Sequence, residues 1–272
     1  MFLVTAILVT YVFSTAAATY RYFWIDFDPN PAIAALVDAG LPSDTHSLNI
    51  HTSDGEKLIA WHVPRKDHPL ILYLHGDGGN LASNHSRARG LVAAGFALLA
   101  PEYRGYGGST GSPTEGGLYL DADAAYLKAL ELGYAPERIA LLGESYGSGV
   151  ALNLAARRRV AAVAIEGAYA TAADTIADRF WGFPVRLIMR NAVRSDRVVR
   201  DVRAPLLVIH GERDSIIPIK YAQRLFAAAN EPKQFVGIPN EDHLALKDKA
   251  NLKYVTEWLW RQFGERTKET PP

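Results

Sequence analysis

The chain has 272 residues, enough for one large α/β domain with a core of its own, and its 29 basic and 29 acidic side chains cancel. That balance leaves no global positive field to gather nucleic acid. The sequence holds no cysteine, which excludes a thiolate nucleophile, a disulfide framework and a Cys-ligated metal site.

Met1 to Tyr20 carries no charged side chain, and its length approaches the ~20 residues a helix needs to cross a hydrocarbon core. Tyr20, Tyr22, Phe23 and Trp24 follow beside Arg21 in the manner of an interfacial belt. Residues 1–24 are therefore expected to anchor the protein to a membrane by a single N-terminal helix. The alternative is a signal cut after the small residues Ala16-Ala17-Ala18, with export of the rest. The absence of Lys or Arg before the apolar run favours a retained anchor. Asp28-Pro29-Asn30-Pro31 breaks any helix in the connecting stretch 26–42. The main domain is expected over 43–264, followed by a polar tail over 265–272.

Ser47 to His51 and Lys57 to Val63 read as strands around a turn at Ser53-Asp54-Gly55. Further strands are expected at Leu70 to Leu74, Phe96 to Ala100, Ile139 to Leu142, Val160 to Ile165, Pro205 to Ile209 and Gln234 to Ile238. Helices are expected at Ser83 to Ala94, Gly117 to Leu132 and Ser148 to Ala156. Strands that are continuously apolar, alternating with helices, predict an α/β fold with a mostly parallel central sheet flanked by helices on both faces. Residues at about 168–203 form a stretch the sheet does not need, and by analogy with this fold class a short helical cap insertion is expected there.

Gly143-Glu144-Ser145-Tyr146-Gly147 fits the G-x-S-x-G nucleophile elbow, with a strand before it and a helix after it. A serine hydroxyl needs a base to remove its proton and an acid to orient that base. In this arrangement both follow the serine in the order acid, then histidine, each after a later strand. Asp214 follows the strand ending at Ile209, and His243 follows the one ending at Ile238. Glu212 and Asp242 are rival acids. Asp242 adjoins His243, and neighbouring side chains rarely point at each other; Asp214 is preferred over Glu212 because its later position clears the strand end. The backbone N–H groups of Tyr146 and Asp77, the latter in the glycine-rich stretch His75 to Asn80, are the expected oxyanion donors. That stretch has neither a Walker ending nor G-x-G-x-x-G, so no nucleotide site is read there. The chemistry calls for no cofactor and no metal.

His75-Gly76-x-Gly78-Gly79-Asn80, Tyr103-Arg104-Gly105-Tyr106-Gly107, the serine pentapeptide and Gly211-Glu212-Arg213-Asp214 through Pro218 together resemble an α/β-hydrolase fold. More narrowly, they are similar to the membrane-anchored ABHD-type serine hydrolases related to the fungal bud-emergence protein. The resemblance spans roughly Ser47 to Phe263. It implies a Ser145–Asp214–His243 triad with Asp77 and Tyr146 at the oxyanion. The chain departs from the family in having Asp77 where Asn is common, and in lacking the usual Gly-His wording around His243.

Within the insertion, Val185, Ile188, Met189, Ala192 and Val193 share one helical side, with Arg186, Arg190, Arg194 and Arg197 on an adjoining one. The stripe is read first as core cover with solvated arginines, and second as a surface for anionic lipid or substrate. Tyr169, Phe180, Trp181 and Phe183 are candidates for an acyl pocket or, equally, for cap packing. The leading functional expectation is a serine hydrolase acting on a small-molecule or lipid-like acyl ester or thioester. A serine peptidase and a membrane-tethered scaffold without activity are the alternatives.

Overall fold

A computed structural model describes residues 39–178 and 193–264. The expected anchor at 1–24, the tail at 265–272, and Phe180, Trp181, Phe183, Val185, Arg186, Ile188, Met189, Arg190 and Ala192 of the insertion lie outside the described residues. Among the described residues no helix is long and apolar enough to cross a membrane.

The elements in chain order are β1 (His46–His51), β2 (Lys57–Val63), β3 (Leu70–Leu74), α1 (His85–Ala93), β4 (Ala97–Pro101), α2 (Glu115–Glu131), β5 (Ile139–Glu144) and α3 (Tyr146–Arg157). They continue with β6 (Ala162–Glu166), α4 (Ala172–Ala177), α5 (Ser195–Val198), β7 (Leu206–Gly211), α6 (Ile219–Ala228), β8 (Lys233–Ile238) and α7 (Lys249–Gln262). The strands form one 8-stranded sheet in the order β1-β2-β4-β3-β5-β6-β7-β8. Only the β1–β2 hairpin and the β2–β4 pair run antiparallel; the other described pairings are parallel.

Strict alternation within each central strand divides the core in two. Leu70, Leu72, Leu141, Val163 and Val208 face a layer that includes Leu118 of α2, Val150 of α3 and Leu225 of α6. Ile71, Tyr73, Leu142, Ala164 and Leu207 face the opposite layer, with Leu91 of α1 and Val255 of α7. A strand covered on both faces must be apolar at every position, and the runs Leu70–Leu74 and Ile139–Leu142 meet that demand. β1 lies at an edge, and its residues are mostly exposed except Ile50.

Several boundaries differ from the sequence expectation, each for a local reason. α1 starts at His85 rather than Ser83 because Asn80 and Ser83 close a reciprocal turn, Asn80 N–H donating to Ser83 Oγ (2.9 Å) and Ser83 N–H to Asn80 Oδ1 (3.1 Å). α2 starts at Glu115 rather than Gly117 because Thr114 caps it, its Oγ1 accepting the Gly117 N–H at 3.0 Å. α3 starts at Tyr146, directly after Ser145, and not at Ser148.

Arg104 fastens the hairpin edge to the rest of the sheet. Its Nη1 and Nη2 reach Asp54 Oδ2 and Oδ1 at 2.7 and 3.0 Å, while its Nε and backbone N–H donate to Asp121 at 2.9 and 2.8 Å. Leu141 is fully buried on the central strand between Leu72 and Val163. Leu141→Ala should cost about 2–5 kcal/mol in a urea unfolding titration, the range for a large-to-small change in a closed core.

Candidate active site

β5 and β6 run parallel and both end in glutamate, Glu144 facing Glu166 in register. One residue later the chain turns at Ser145, whose backbone sits at φ 50°, ψ −115°, a conformation that a residue with a Cβ seldom adopts. The turn is held from both sides. The Ser145 N–H donates to Glu166 O at 2.8 Å, and its carbonyl accepts the Ser148 N–H and Oγ at 3.0 and 2.5 Å. Neither flanking glycine has room for a side chain: a Cβ on Gly143 would lie 2.4 Å from Gly147 O, and one on Gly147 would lie 2.1 Å from Leu74 O. Ser145 Oγ is thereby presented beyond the carboxyl ends of the strands.

The loop after β8 carries His243 to this serine, with Nε2 2.9 Å from Ser145 Oγ and Nδ1 2.8 Å from Asp214 Oδ2. Since the carboxylate can only accept, the neutral imidazole bears hydrogen at Nδ1 and offers its Nε2 lone pair to the hydroxyl. Burial disfavours charge on this ring, but the hydrogen bond and charge of Asp214 outweigh it and raise the imidazole pKa above the ordinary 6.5. Asp214 is itself fully engaged. Oδ1 accepts the N–H groups of Ile216 and Ile217 at 2.9 and 2.7 Å, and Oδ2 also lies 3.1 Å from His210 Nε2. Burial works against its charge, yet the bonds from His210, His243 and the Ile217 N–H hold it well below the usual carboxylate range.

The rival acids stand apart from the imidazole. Glu212 is exposed, and its carboxyl packs toward Gly237. Asp242 is exposed as well, but it is more than a solvated carboxylate. It accepts the Ser215 N–H (2.7 Å) and Oγ (2.9 Å) and the His243 N–H (2.8 Å), tying the loop that carries His243 to the loop that carries Asp214.

On the other side of Ser145 lies the glycine-rich loop after β3. A Cβ on Gly76 would sit 3.3 Å from Ser145 Cβ, which fixes how closely this loop wraps the serine. Its next two carbonyls are both held: Gly76 O by His75 Nδ1 at 2.7 Å, and Asp77 O by the Tyr106 hydroxyl at 2.9 Å. In a trans peptide the N–H points opposite to the carbonyl, so pinning Gly76 O aims the Asp77 N–H away from His75. That N–H donates to no backbone carbonyl among the described residues, though it reaches the carboxyl of Asp77 itself. Tyr146 opens α3, where first-turn amides point out of the helix N-terminus. The Asp77 side chain is half-buried; burial raises its carboxyl pKa, opposed first by its own backbone N–H and then by the charge of His243. Tyr169 is buried, 4% exposed, with its hydroxyl within electrostatic reach of Tyr146 and Asp77. Of the insertion arginines, Arg194 is paired with Asp196 at 2.9 Å and Arg197 is exposed. Val193 is buried against Gly149, and its N–H donates to Glu115 Oε2 at 3.3 Å. Among the described residues no cluster of His, Asp or Glu is arranged to hold a metal ion.

Sequence reasoning missed a buried charge group beneath the elbow. Arg87 of α1 reaches Glu144 Oε2 at 3.1 Å and Glu166 Oε2 at 2.6 Å, and Tyr73 donates its hydroxyl to Glu144 at 2.7 Å. Glu166 Oε1 accepts the Leu246 N–H at 2.6 Å, on the segment that carries His243. The readable signal was that the strands on either side of the serine turn and helix both end in glutamate, since side-by-side buried carboxyls need a cation or a shared proton.

A family model described as alpha/beta hydrolase fold matches residues 69–192. An uncharacterized protein of Mycobacterium tuberculosis is 34% identical over 220 residues, covering 79% of this chain and 76% of that one. The lysophosphatidylserine lipase ABHD12 of Danio rerio is 26% identical over 249 residues, covering 74% of this chain and 64% of the lipase. Among solved structures, the Pyrococcus furiosus esterase Pf2001 superimposes with a TM-score of 0.71 at 21% identity, over 87% of this chain and 99% of that one.

Arg87 is 4% exposed and faces two carboxyls. Arg87→Leu should therefore destabilise the protein by about 3–5 kcal/mol in denaturant unfolding, the cost of stranding a buried charge. The double variant Arg87→Leu/Glu166→Gln should recover part of that loss.

Proposed function

The chain belongs to the α/β-hydrolase family, and within it we propose a serine hydrolase that cleaves carboxylic esters or thioesters through an acyl-enzyme. The observation that carries this reading is the unbroken chain from Ser145 Oγ to His243 (2.9 Å) to Asp214 (2.8 Å). Ser145 Oγ attacks the acyl carbon as His243 Nε2 takes its proton, and Asp214 stabilises the imidazolium that forms. The N–H groups of Asp77 and Tyr146 receive the negative charge on the former carbonyl oxygen. The proton then passes to the departing oxygen or sulfur, the acyl–leaving-group bond breaks, and water enters by the reverse sequence. The lipase among the relatives supports an acyl ester substrate, and the cap side of the site, where Tyr169 lies, would receive the acyl chain. We place the protein at a membrane through residues 1–24, on the strength of their uncharged apolar run. Release of the full-length protein by carbonate without detergent would contradict that placement.

One observation favours a second reading. The Asp77 carboxyl stands beside the proposed oxyanion donor and within electrostatic reach of His243. An acidic group there could hold the α-amine of an aminoacyl ester or peptide. In that case wild type prefers aminoacyl p-nitrophenyl esters to their deamino counterparts, and Asp77→Asn abolishes the preference.

A fluorophosphonate probe should label the wild type and not Ser145→Ala, and turnover of p-nitrophenyl esters should fall by roughly 10⁴–10⁶-fold in that variant. No labelling of the folded wild type would remove the proposal. Asp214→Ala should cost far more activity than Glu212→Ala; the reverse order would move the acid to Glu212.

The pH dependence has a definite sign. The base acts as neutral imidazole, and its pKa in the folded protein lies above 6.5 because of Asp214. Acylation, read as kcat/KM, should therefore rise with pH through that raised pKa. Asp214→Asn should move the rising limb to lower pH while lowering the rate.

A further inference from the structure

Behind the glycine-rich loop lies a buried pair that the steps above leave unused. His75 is 0% exposed and Glu102, just after β4, is 1% exposed. The Nδ1 of His75 lies 2.7 Å from Gly76 O, and a carbonyl only accepts, so Nδ1 carries the hydrogen. A neutral imidazole then has a lone pair at Nε2. That atom makes no hydrogen bond among the described residues, nor does Glu102 Oε2, and the two stand 3.5 Å apart. Glu102 Oε1 is already taken by the Leu81 N–H at 2.7 Å. An ionised carboxylate facing an imidazole lone pair would leave two buried acceptors opposed. One proton on Glu102 Oε2 satisfies both.

We propose that Glu102, as the neutral acid, keeps its proton on Oε2 and directs it as a hydrogen-bond donor at His75 Nε2, acting through that ring as a positioning residue for the Asp77 N–H at the oxyanion. The proposal rests on the serine-hydrolase reading above. It follows the bonds outward from the pair: Glu102 fixes the His75 ring, the ring's Nδ1–H holds Gly76 O, and the same peptide plane aims the Asp77 N–H. The surroundings favour this proton state. Burial pushes Glu102 up to about 7 despite the Leu81 N–H, and burial pulls His75 down to about 4 despite the Gly76 carbonyl and the charge of Glu144. The rings of Tyr103 and Tyr106 enclose His75 at 4.4 and 5.5 Å. Glu144 approaches from β5, and the charge of Asp121, within reach of Tyr103, is taken up by Arg104. When Glu102 ionises, the ring loses its donor, Gly76 O loses its fixed partner, and the Asp77 N–H moves with the peptide.

The test uses Glu102→Gln in the full-length protein. A glutamine amide donates to His75 Nε2 at every pH and keeps an oxygen for the Leu81 N–H. Wild-type kcat/KM for a p-nitrophenyl ester should give a bell, rising with His243 and falling above about 7, by roughly tenfold per pH unit for loss of one required proton. Because the donor acts on the transition state, the fall should lie in kcat with KM little changed. Glu102→Gln should keep the rising limb and lose the falling one. Its melting temperature should also hold where that of the wild type declines, as pH rises from the ordinary carboxyl value of 4.5 to about 7, since a raised carboxyl pKa stabilises only while the proton is bound. A wild-type rate that stays flat above about 7, a variant sharing the alkaline fall, or a variant that labels with fluorophosphonate but has lost its neutral-pH turnover would each overturn the proposal. Failure of wild type to label would instead remove the hydrolase reading, and parallel melting profiles would then still refute the shared proton.

Discussion

Glu166 is where the architecture and the chemistry meet. Its carbonyl accepts the Ser145 N–H, its Oε2 takes Arg87 from α1, and its Oε1 takes the Leu246 N–H from the segment after β8. One residue at the end of β6 therefore bonds the strained turn, the helix across the sheet and the stretch that delivers His243. The elbow's unfavourable φ of 50° can persist because the surrounding bonds over-determine it. Parallel strands make this convergence possible, since they place Glu144, Glu166 and the segment after Gly211 at one edge of the sheet.

Two layers of electrostatics follow from that placement. Near the serine, Asp214 is kept ionised by bonds from two histidines and two backbone amides, which gives His243 a charge to lean on. Behind the glycine-rich loop the logic is reversed: His75 and Glu102 are buried among aromatic rings, and burial drives both toward neutrality. A carboxyl beside a histidine is thus held ionised in one place and pushed toward the neutral acid in the other, according to how many hydrogen-bond donors accompany the burial.

The sheet and the main constellation were legible because each follows from a local rule. Two-sided burial demands runs such as Leu70–Leu74, and a serine between glycines after a strand demands an acid and a histidine after later strands. What stayed hidden depends on side chains distant in sequence. Arg87 meets Glu166 from 79 residues away, and neither has a local pattern that marks it. Helix starts were misplaced for a simpler reason. Glu115-Gly116, ahead of the expected start at Gly117, lacks helix propensity at its glycine, yet the Thr114 cap and packing of Leu118 draw it into α2.

The bonds of Asp242 have a consequence for motion. Because this carboxylate takes donors from Ser215 on the acid loop and from His243 itself, thermal fluctuations carry the two loops together. The 2.8 Å contact between Asp214 and His243 then lies within this tied pair of loops, whereas the 2.9 Å contact between His243 and Ser145 crosses to a separate element. A shift of these loops as one unit would alter the distance to the Ser145 hydroxyl before it altered the Asp214 contact that sets the tautomer.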